Sequence, residues 1–351
     1  MQVKDYLIKA VEQKASDLFI LAGSPVMKKQ DGHMAPMGTE SLQQEETKRL
    51  ITQLYRMADR DMDRYERTGD DDFSFAIVGV ARFRVNAYRQ RGSFAAVIRV
   101  VAFEIPDWKE LHISEEVMKL ADVANGMILV TGTAGSGKTT TQACIIDRIN
   151  RTKEAHIVTL EDPIEYLHTH KKSIISQREV SIDTEDYLSA LRACLRQAPD
   201  VILMGEMRDA ETIHTAITAA ETGHLVIATL HTKGTVNAID RILDAFPSAQ
   251  QGQMRVQLSM VLKTVVSQQL VPDVNGLLCP AYEIMHVDHA IRTMIRENKN
   301  HQINNAISAG GAAGMITMDQ YLLELFRENR ISRQVLLDYC DNRELLEKKI
   351  P

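Results

Sequence analysis

The stretch from Gly132 to Thr139 constrains this chain more than any other. It reads Gly-Thr-Ala-Gly-Ser-Gly-Lys-Thr, with the apolar run Met127-Ile128-Leu129-Val130 before it and a helix-compatible segment, Thr140 to Ile149, after it. Glycines at 132, 135 and 137 let the backbone turn so that successive N–H groups point inward. No Cβ blocks the approach of a polyphosphate, and the following helix presents its positive end. Strand, glycine-rich turn and Gly-Lys-Thr together make a phosphate-binding loop. Lys138 then reaches the β and γ phosphates of a nucleotide, and the Thr139 hydroxyl joins a Mg²⁺ shell. Gly132, Thr133, Ala134, Gly135, Ser136, Gly137, Lys138, Thr139 and Thr140 are all candidate contacts to ATP.

The surroundings agree with such a loop. From about residue 112 strands alternate with helices, which predicts an α/β fold with a mostly parallel sheet covered on both faces. Short apolar runs place strands at Met127 to Val130, His156 to Leu160, Val201 to Met204 and Leu225 to Leu230, with helices such as Asp183 to Gln197 and Asp209 to Thr222 between them. In such sheets ligands bind beyond the carboxyl ends of the strands. Polar groups stand there: Glu161 and Asp162, Glu206, and His231. Val201 to Glu206 has the form of a buried strand ending in a carboxylate, so Glu206 is a candidate to hold Mg²⁺, through water because Mg²⁺ keeps much of its hydration. Thr159 to Glu165 offers three carboxylates, and Glu165 is the candidate base that orients and deprotonates an attacking water. Glu161 and Asp162 either act directly or cap the turn around Pro163. His224 and His231 bracket a strand and lie roughly 20 Å apart if it is straight, so they cannot share a metal. His231, at the ligand end, is placed to sense the γ phosphate; His224 fixes structure or is a satisfied turn histidine.

The first hundred residues read differently, as a small α+β domain. A helix is expected near Val3 to Lys14, a strand at Asp17 to Leu21, a hairpin at Asp31-Gly32, and one helix from about Ser41 to Tyr65 with Ser41 and Gln44 spaced as a capping box. Strands follow at Phe73 to Val80, Arg82 to Arg89 and Phe94 to Val101. If the last two close at Arg91-Gly92, Arg84 stands opposite Arg99. Two unpaired cations there would favour an anion between them, and the anion that fits is ATP on a neighbouring subunit; a solvated or carboxylate-paired basic face is the alternative. Ile105-Pro106-Asp107 breaks the pattern and sets the domains at 1–105 and 112–351, with a linker at 106–111. Beyond Pro247 the chain reads as largely helical, with Asp288 and Ser332 as caps and a helix at Asn300 to Ala309.

Composition removes several classes. At 351 residues the chain exceeds one ordinary core, and 44% hydrophobic with 25% charged residues is a globular profile. A net charge of -6 argues against nucleic acid as the main partner. Cys144, Cys194, Cys279 and Cys340 are far apart, which signals neither a zinc site nor a disulfide framework and fits a reducing cytoplasm. Lys4, Asp5 and Lys9 interrupt the N-terminal apolar residues, so neither a signal peptide nor a membrane span is expected there.

Taken together, these residues resemble the type IV pilus retraction ATPases, the PilT type within the secretion and pilus motor superfamily. The likeness runs through Ala15 to Leu18, Arg82 to Asn86, the loop, Glu161 to Glu165, Gln177 to Val180, Gly205 to Asp209, Thr222 to Leu225, Ala228 to Thr232 and Ala290 to Glu297. It implies a PAS-like N-terminal domain, a RecA-like ATPase domain with a helical C-terminal region, and a homohexamer. It makes Glu165 the catalytic base, Glu206 the metal-side acid and His224 with His231 a paired histidine motif. Arg84, Arg99 and Arg241 correspond to positions that approach nucleotide, and the Ala290 to Glu297 helix is assigned to retraction. The implied setting is cytoplasmic, at the inner face of the cytoplasmic membrane at the pilus base. There the chain would meet an inner-membrane platform protein and the pilus machinery, with membrane association only through partners. Thr133-Ala134 stands where the family commonly has Pro-Thr, and Lys233 where small polar residues are usual. An accessory paralogue, a related secretion ATPase and a nucleic-acid-dependent RecA-type translocase are the competing readings.

Overall fold

The computed structural model describes residues 2–30, 32–77, 79–101 and 105–350. The chain divides into two units, Met1–Glu104 with Glu165–Leu167, and Ile105–Ile164 with His168–Pro351.

The first unit runs α1 (Val3–Glu12), β1 (Asp17–Ile20), β2 (Met27–Gln30), β3 (His33–Pro36), α2 (Gln44–Met57), α3 (Asp63–Thr68), β4 (Asp70–Ile77), β5 (Ala81–Gln90) and β6 (Ser93–Val101). Its strands lie in the order β3-β2-β1-β6-β5-β4, and the described pairs are antiparallel. β5 shows what covers one face. Ala81, Phe83, Val85 and Ala87 are buried, while Arg82, Arg84, Asn86 and Tyr88 alternate with them, as a period of two requires. The apolar set joins Leu50, Ile51, Leu54 and Tyr55 of α2 and Leu7 of α1 in one core. β2 and β3 flank the anticipated hairpin, pairing Gln30 with His33; Asp31 lies outside the described residues, as does Val78 in the strand expected at Phe73 to Val80.

The single helix expected from Ser41 to Tyr65 is two helices. Gln43 rather than Ser41 caps α2, its N–H donating to the Glu46 carboxylate at 2.8 Å. The helix stops at Ala58 because Asp59 takes a left-handed conformation at φ 49° and Arg60 turns toward β4. Arg60 Nε and Nη2 donate to the two Asp71 oxygens, each at 2.9 Å, and the Tyr55 hydroxyl donates at 3.1 Å. Asp71 is 1% exposed, and a carboxylate so buried needs those donors. The break in the helix is therefore where this unit satisfies its buried charge.

The second unit runs α4 (Glu115–Met118), β7 (Gly126–Thr131), α5 (Lys138–Thr152), β8 (His156–Glu161), β9 (Ile174–Glu179), α6 (Tyr187–Cys194), β10 (Val201–Met204), α7 (Ala210–Glu221), β11 (Leu225–Leu230), α8 (Thr235–Asp244), α9 (Ser248–Val261), β12 (Leu262–Pro272) and β13 (Leu278–His286). Helices α10 (His289–Arg296), α11 (Ile303–Ala309), α12 (Met318–Arg327), α13 (Arg333–Tyr339) and α14 (Arg343–Glu347) follow. The sheet order is β13-β12-β7-β11-β10-β8-β9; β13 runs antiparallel to β12 and the other described neighbours are parallel. Both faces are covered. Met127 and Leu129 of β7 enter a core with α6 to α11, and Ile128 and Val130 enter another with α4 and α5. That is why these strands read as unbroken apolar runs.

β12 and β13 correct the expectation of a largely helical chain after Pro247. β12 carries Lys263, Thr264, Ser267, Gln268 and Gln269 among its valines, which hides its apolar run. Its turn to β13 contains Asn275-Gly276, with Gly276 at φ 80°, a hairpin signal in plain view. β9 was likewise unmarked, and Asp186 caps α6 later than the expected start at Asp183. Asp288 and Ser332 cap α10 and α13 as their sequence predicts. Among the described residues no helix is long and apolar enough to cross a membrane.

Candidate active site

β7 delivers the chain into the loop, and Gly132 shows why that position takes no side chain. Its φ is 144°, and a Cβ there would sit 2.3 Å from the Gln268 carbonyl oxygen and 2.6 Å from Ser136 Oγ. Gly137, at φ 84°, caps the start of α5. Lys138 is buried, and its Nζ donates to the carbonyls of Gly132 at 2.9 Å and Thr133 at 2.8 Å. The ammonium thus sits inside the loop that its charge would serve. The Ser136 hydroxyl is buried without a hydrogen-bond partner among the described residues, so the loop interior presents a donor that suits a phosphate oxygen. Thr139 and Thr140 are half-exposed in the first turn of α5, and Thr133, Ala134 and Gly135 are exposed at the loop tip.

Parallel pairing then sets the neighbours. Thr131 pairs with Leu230, and Met204 with both Ala228 and Leu160. The ends of β7, β11, β10 and β8 therefore stand side by side at about 4.8 Å per strand. They carry the loop, His231, Glu206, and Glu161 with Asp162, in that order. Glu206 is nearly buried, with Oε1 2.5 Å from Arg208 Nη2 and Oε2 3.8 Å from His231 Nε2. Gly205 brings it there: its N–H donates to the Leu160 carbonyl at 2.7 Å, and its own carbonyl accepts from Thr229 Oγ1. A Cβ at Gly205 would meet the Tyr187 hydroxyl at 2.6 Å. Burial, then the Glu206, Asp162 and Glu161 carboxylates, pushes the Tyr187 hydroxyl well above its ordinary pKa, so it stays a donor among acids.

Glu161 is buried and accepts from Thr159 Oγ1 at 2.6 Å and Gln177 Nε2 at 3.3 Å, whereas Asp162 is exposed. Glu165 is exposed; the residue before it, Ile164, is buried, and its N–H donates to Glu179 at 3.2 Å. His231 is exposed at the ligand end of β11. His224 stands at the other end, its Nδ1 2.9 Å from the Ala219 carbonyl and 3.2 Å from Thr222 Oγ1, where it fastens the end of α7. Arg241 is exposed near the end of α8. Lys233 pairs with Asp341 at 2.8 Å, so its charge is directed at the C-terminal segment.

In the first unit Arg84 does stand opposite Arg99, because Arg91 and Gly92, at φ 51° and 79°, form the two-residue turn. The pair of unpaired cations is corrected in one member: Arg99 Nε lies 3.2 Å from Asp17 Oδ1, directly across on β1. Arg84 has no such partner among the described residues. Sequence reasoning missed Arg208, Tyr187 and Gln268 as site residues. Arg208 could have been found, two residues past Glu206; the other two come from distant elements.

A family model described as type II/IV secretion system protein matches residues 1–341. The chain belongs to this family. It is 43% identical over 334 residues to the type IV pilus retractation ATPase PilT of Pseudomonas aeruginosa, covering 95% of this chain and 96% of that protein. A twitching motility protein of Neisseria gonorrhoeae is 44% identical over 315 residues, covering 89% of this chain and 83% of that one. The crystal structure of the pilus retraction motor PilT with bound ADP matches with a TM-score of 0.91 at 42% identity, covering 99% of each chain. The chain is an ATPase of the PilT type with a mixed α/β fold.

Proposed function

We propose that this ATPase drives type IV pilus retraction, hydrolysing ATP with Mg²⁺ as a homohexamer at the inner face of the cytoplasmic membrane. It would act on the pilus machinery through a platform protein. One observation carries the chemical part: a glycine-rich loop with a buried lysine and the acid Glu206 end nearby strands of one parallel sheet. Lys138 and the loop N–H groups bind phosphates, and Thr139 and Glu206 are the side chains suited to a Mg²⁺ ion, Glu206 through water. Among the described residues no three His, Cys, Asp or Glu side chains cluster as metal ligands, so the ion would take most of its ligands from phosphate and water. Bound there, it neutralises phosphate charge. Glu165 accepts a proton from the attacking water, and His231, within 3.8 Å of Glu206, reads the state of the site. Arg84 and Arg99 approach the nucleotide of a neighbouring subunit, and Arg241 is a further arginine that approaches nucleotide.

The strand order β2-β1-β6-β5-β4 supports a PAS-like domain at 1–105, and β12-β7-β11-β10-β8 supports a RecA-like domain at 112–351. The 42 to 43% identity to proteins named for pilus retraction and the 44% identity to a twitching motility protein support retraction over the competing readings. Glu165→Gln should keep nucleotide affinity and lower turnover by about 100-fold or more; expressed in cells without the parent gene, it should not restore retraction. Turnover near the parent's would remove Glu165 from the mechanism, and retraction by the inactive variant would remove the motor role.

A further inference from the structure

β12 pairs with β7 in parallel through Ser267 and Thr131, and the next residue, Gln268, continues alongside the phosphate-binding loop. It is 3% exposed and meets the loop at both ends. Its backbone carbonyl abuts Gly132, and its side-chain Nε2 lies 2.8 Å from where a Cβ of Gly137 would stand. Its Oε1 accepts a hydrogen bond of 2.8 Å from the hydroxyl of Thr141, itself buried in the first turn of α5. One buried residue therefore touches the exit of β7 with its backbone, and the last loop glycine and the first turn of the helix with its side-chain amide. We propose that Gln268 is a positioning residue that holds the loop in its phosphate-binding shape through Thr141.

The physical case begins with the loop's own freedom. Glycines at 132, 135 and 137 permit the phosphate-cradling turn, and by the same property they permit others. Affinity for a nucleotide falls by the fraction of time the loop spends out of the competent shape. Something outside the loop must narrow that choice, and Gln268 meets both ends, with its backbone at Gly132 and its side chain at Gly137 and Thr141. Its hydrogen bond to Thr141 is shielded from water. Losing it costs about as much as one buried hydrogen bond, on the order of a tenfold loss in affinity, or about 1.4 kcal/mol. Because the loop binds ground state and transition state alike, the loss should appear in KM and leave kcat nearly unchanged. A role in packing alone would lower stability without that split.

The inference rests on the loop being the nucleotide site, so its test must separate the two. The full chain is titrated with a fluorescent methylanthraniloyl derivative of ADP, and steady-state ATPase kinetics and unfolding temperature are measured alongside. Gln268→Met and Thr141→Val should each weaken binding by about tenfold and raise KM similarly, with kcat within about threefold of the parent. The double variant should be no worse than the weaker single, and Thr141→Ser, which keeps the hydroxyl, should bind as the parent does. Parent-like affinity in folded Gln268→Met and Thr141→Val overturns the proposal, and so do losses that multiply in the double variant. If Gln268→Met does not fold, Thr141→Val against Thr141→Ser decides alone, equal affinity being the refuting result. Lys138→Ala completes the test: weakened binding there beside parent-like Gln268→Met refutes only the positioning role, whereas parent-like binding in Lys138→Ala refutes the loop as the nucleotide site.

Discussion

The first unit's sheet is antiparallel and carries charge along a face, whereas the second unit's is almost wholly parallel, and its central strands β7, β11 and β10 are buried end to end with their charged neighbours just beyond the strand ends. One row across the first sheet joins Lys29, Asp17, Arg99, Arg84 and Ser74 in register. No such row exists on β7, β10 or β11, which are buried along their whole lengths; their candidate functional residues, Gly132, Glu206 and His231, come just past the strands. The difference follows from what covers the sheets. Helices pack on one face of the first, leaving alternate side chains to be polar, and on both faces of the second, leaving only its ends. A covered sheet gathers backbone and side-chain polar groups beyond the carboxyl ends of its strands. A half-covered sheet offers reach and charge.

The largest effect should come from Asp71, a carboxylate buried in the core of the first unit. Asp71→Ala strands Arg60 and the Tyr55 hydroxyl, and should lower unfolding free energy by about 3 to 5 kcal/mol in chemical denaturation. A loss under about 1 kcal/mol would show that this carboxylate is no part of the core. Arg99→Ala, on the face of the same sheet, should cost under about 1 kcal/mol, because its pair with Asp17 is largely exposed on the arginine side. A loss as large as that of Asp71→Ala would mean the face is structural, and the contrast between buried and facial charge would fail.

The second unit should show its own acid window, set between those two effects in size. Burial holds the His168 imidazole at a pKa of about 4, against an ordinary 6.5. The unfolded chain therefore takes up the proton first as pH falls. Stability from this group is whole above pH 6.5, declines toward pH 4, and levels off below; by pH 4.5 about 2.5 kcal/mol is lost. Denaturation at pH 7 and 4.5 should show that decline in the parent and a smaller one in His168→Gln. Equal declines in both would place the acid sensitivity elsewhere.

How much of this was legible depended on how local each signal is. β7, β10 and β11 announced themselves because a doubly covered strand is apolar along most of its length. The loop did so because its glycines are demanded by its own backbone. Even the opposition of Arg84 and Arg99 followed from the turn at Arg91 and Gly92. β12 did not, since its apolar residues are interrupted by Ser267, Gln268 and Gln269, whose polarity is explained only by what they touch. Gln268 meets Thr141 across 127 residues, and Tyr187 reaches Gly205 from another element; no local spacing encodes either. The end of α2 was misplaced because its cause, the Asp71 carboxylate, lies beyond the helix.

Our central proposal is that Arg84 of one subunit acts on the nucleotide bound by another. It is tested most directly by mixing Arg84→Ala subunits with Glu165→Gln subunits and measuring ATP hydrolysis. A cation supplied in trans is worth about 10³ to 10⁵ in rate, so each variant alone should be nearly inactive. On mixing, activity should return, because some interfaces then pair an intact Arg84 with an intact Glu165. If the mixture stays inactive while both variants assemble and exchange subunits as the parent does, Arg84 does not act across the boundary and the account is contradicted.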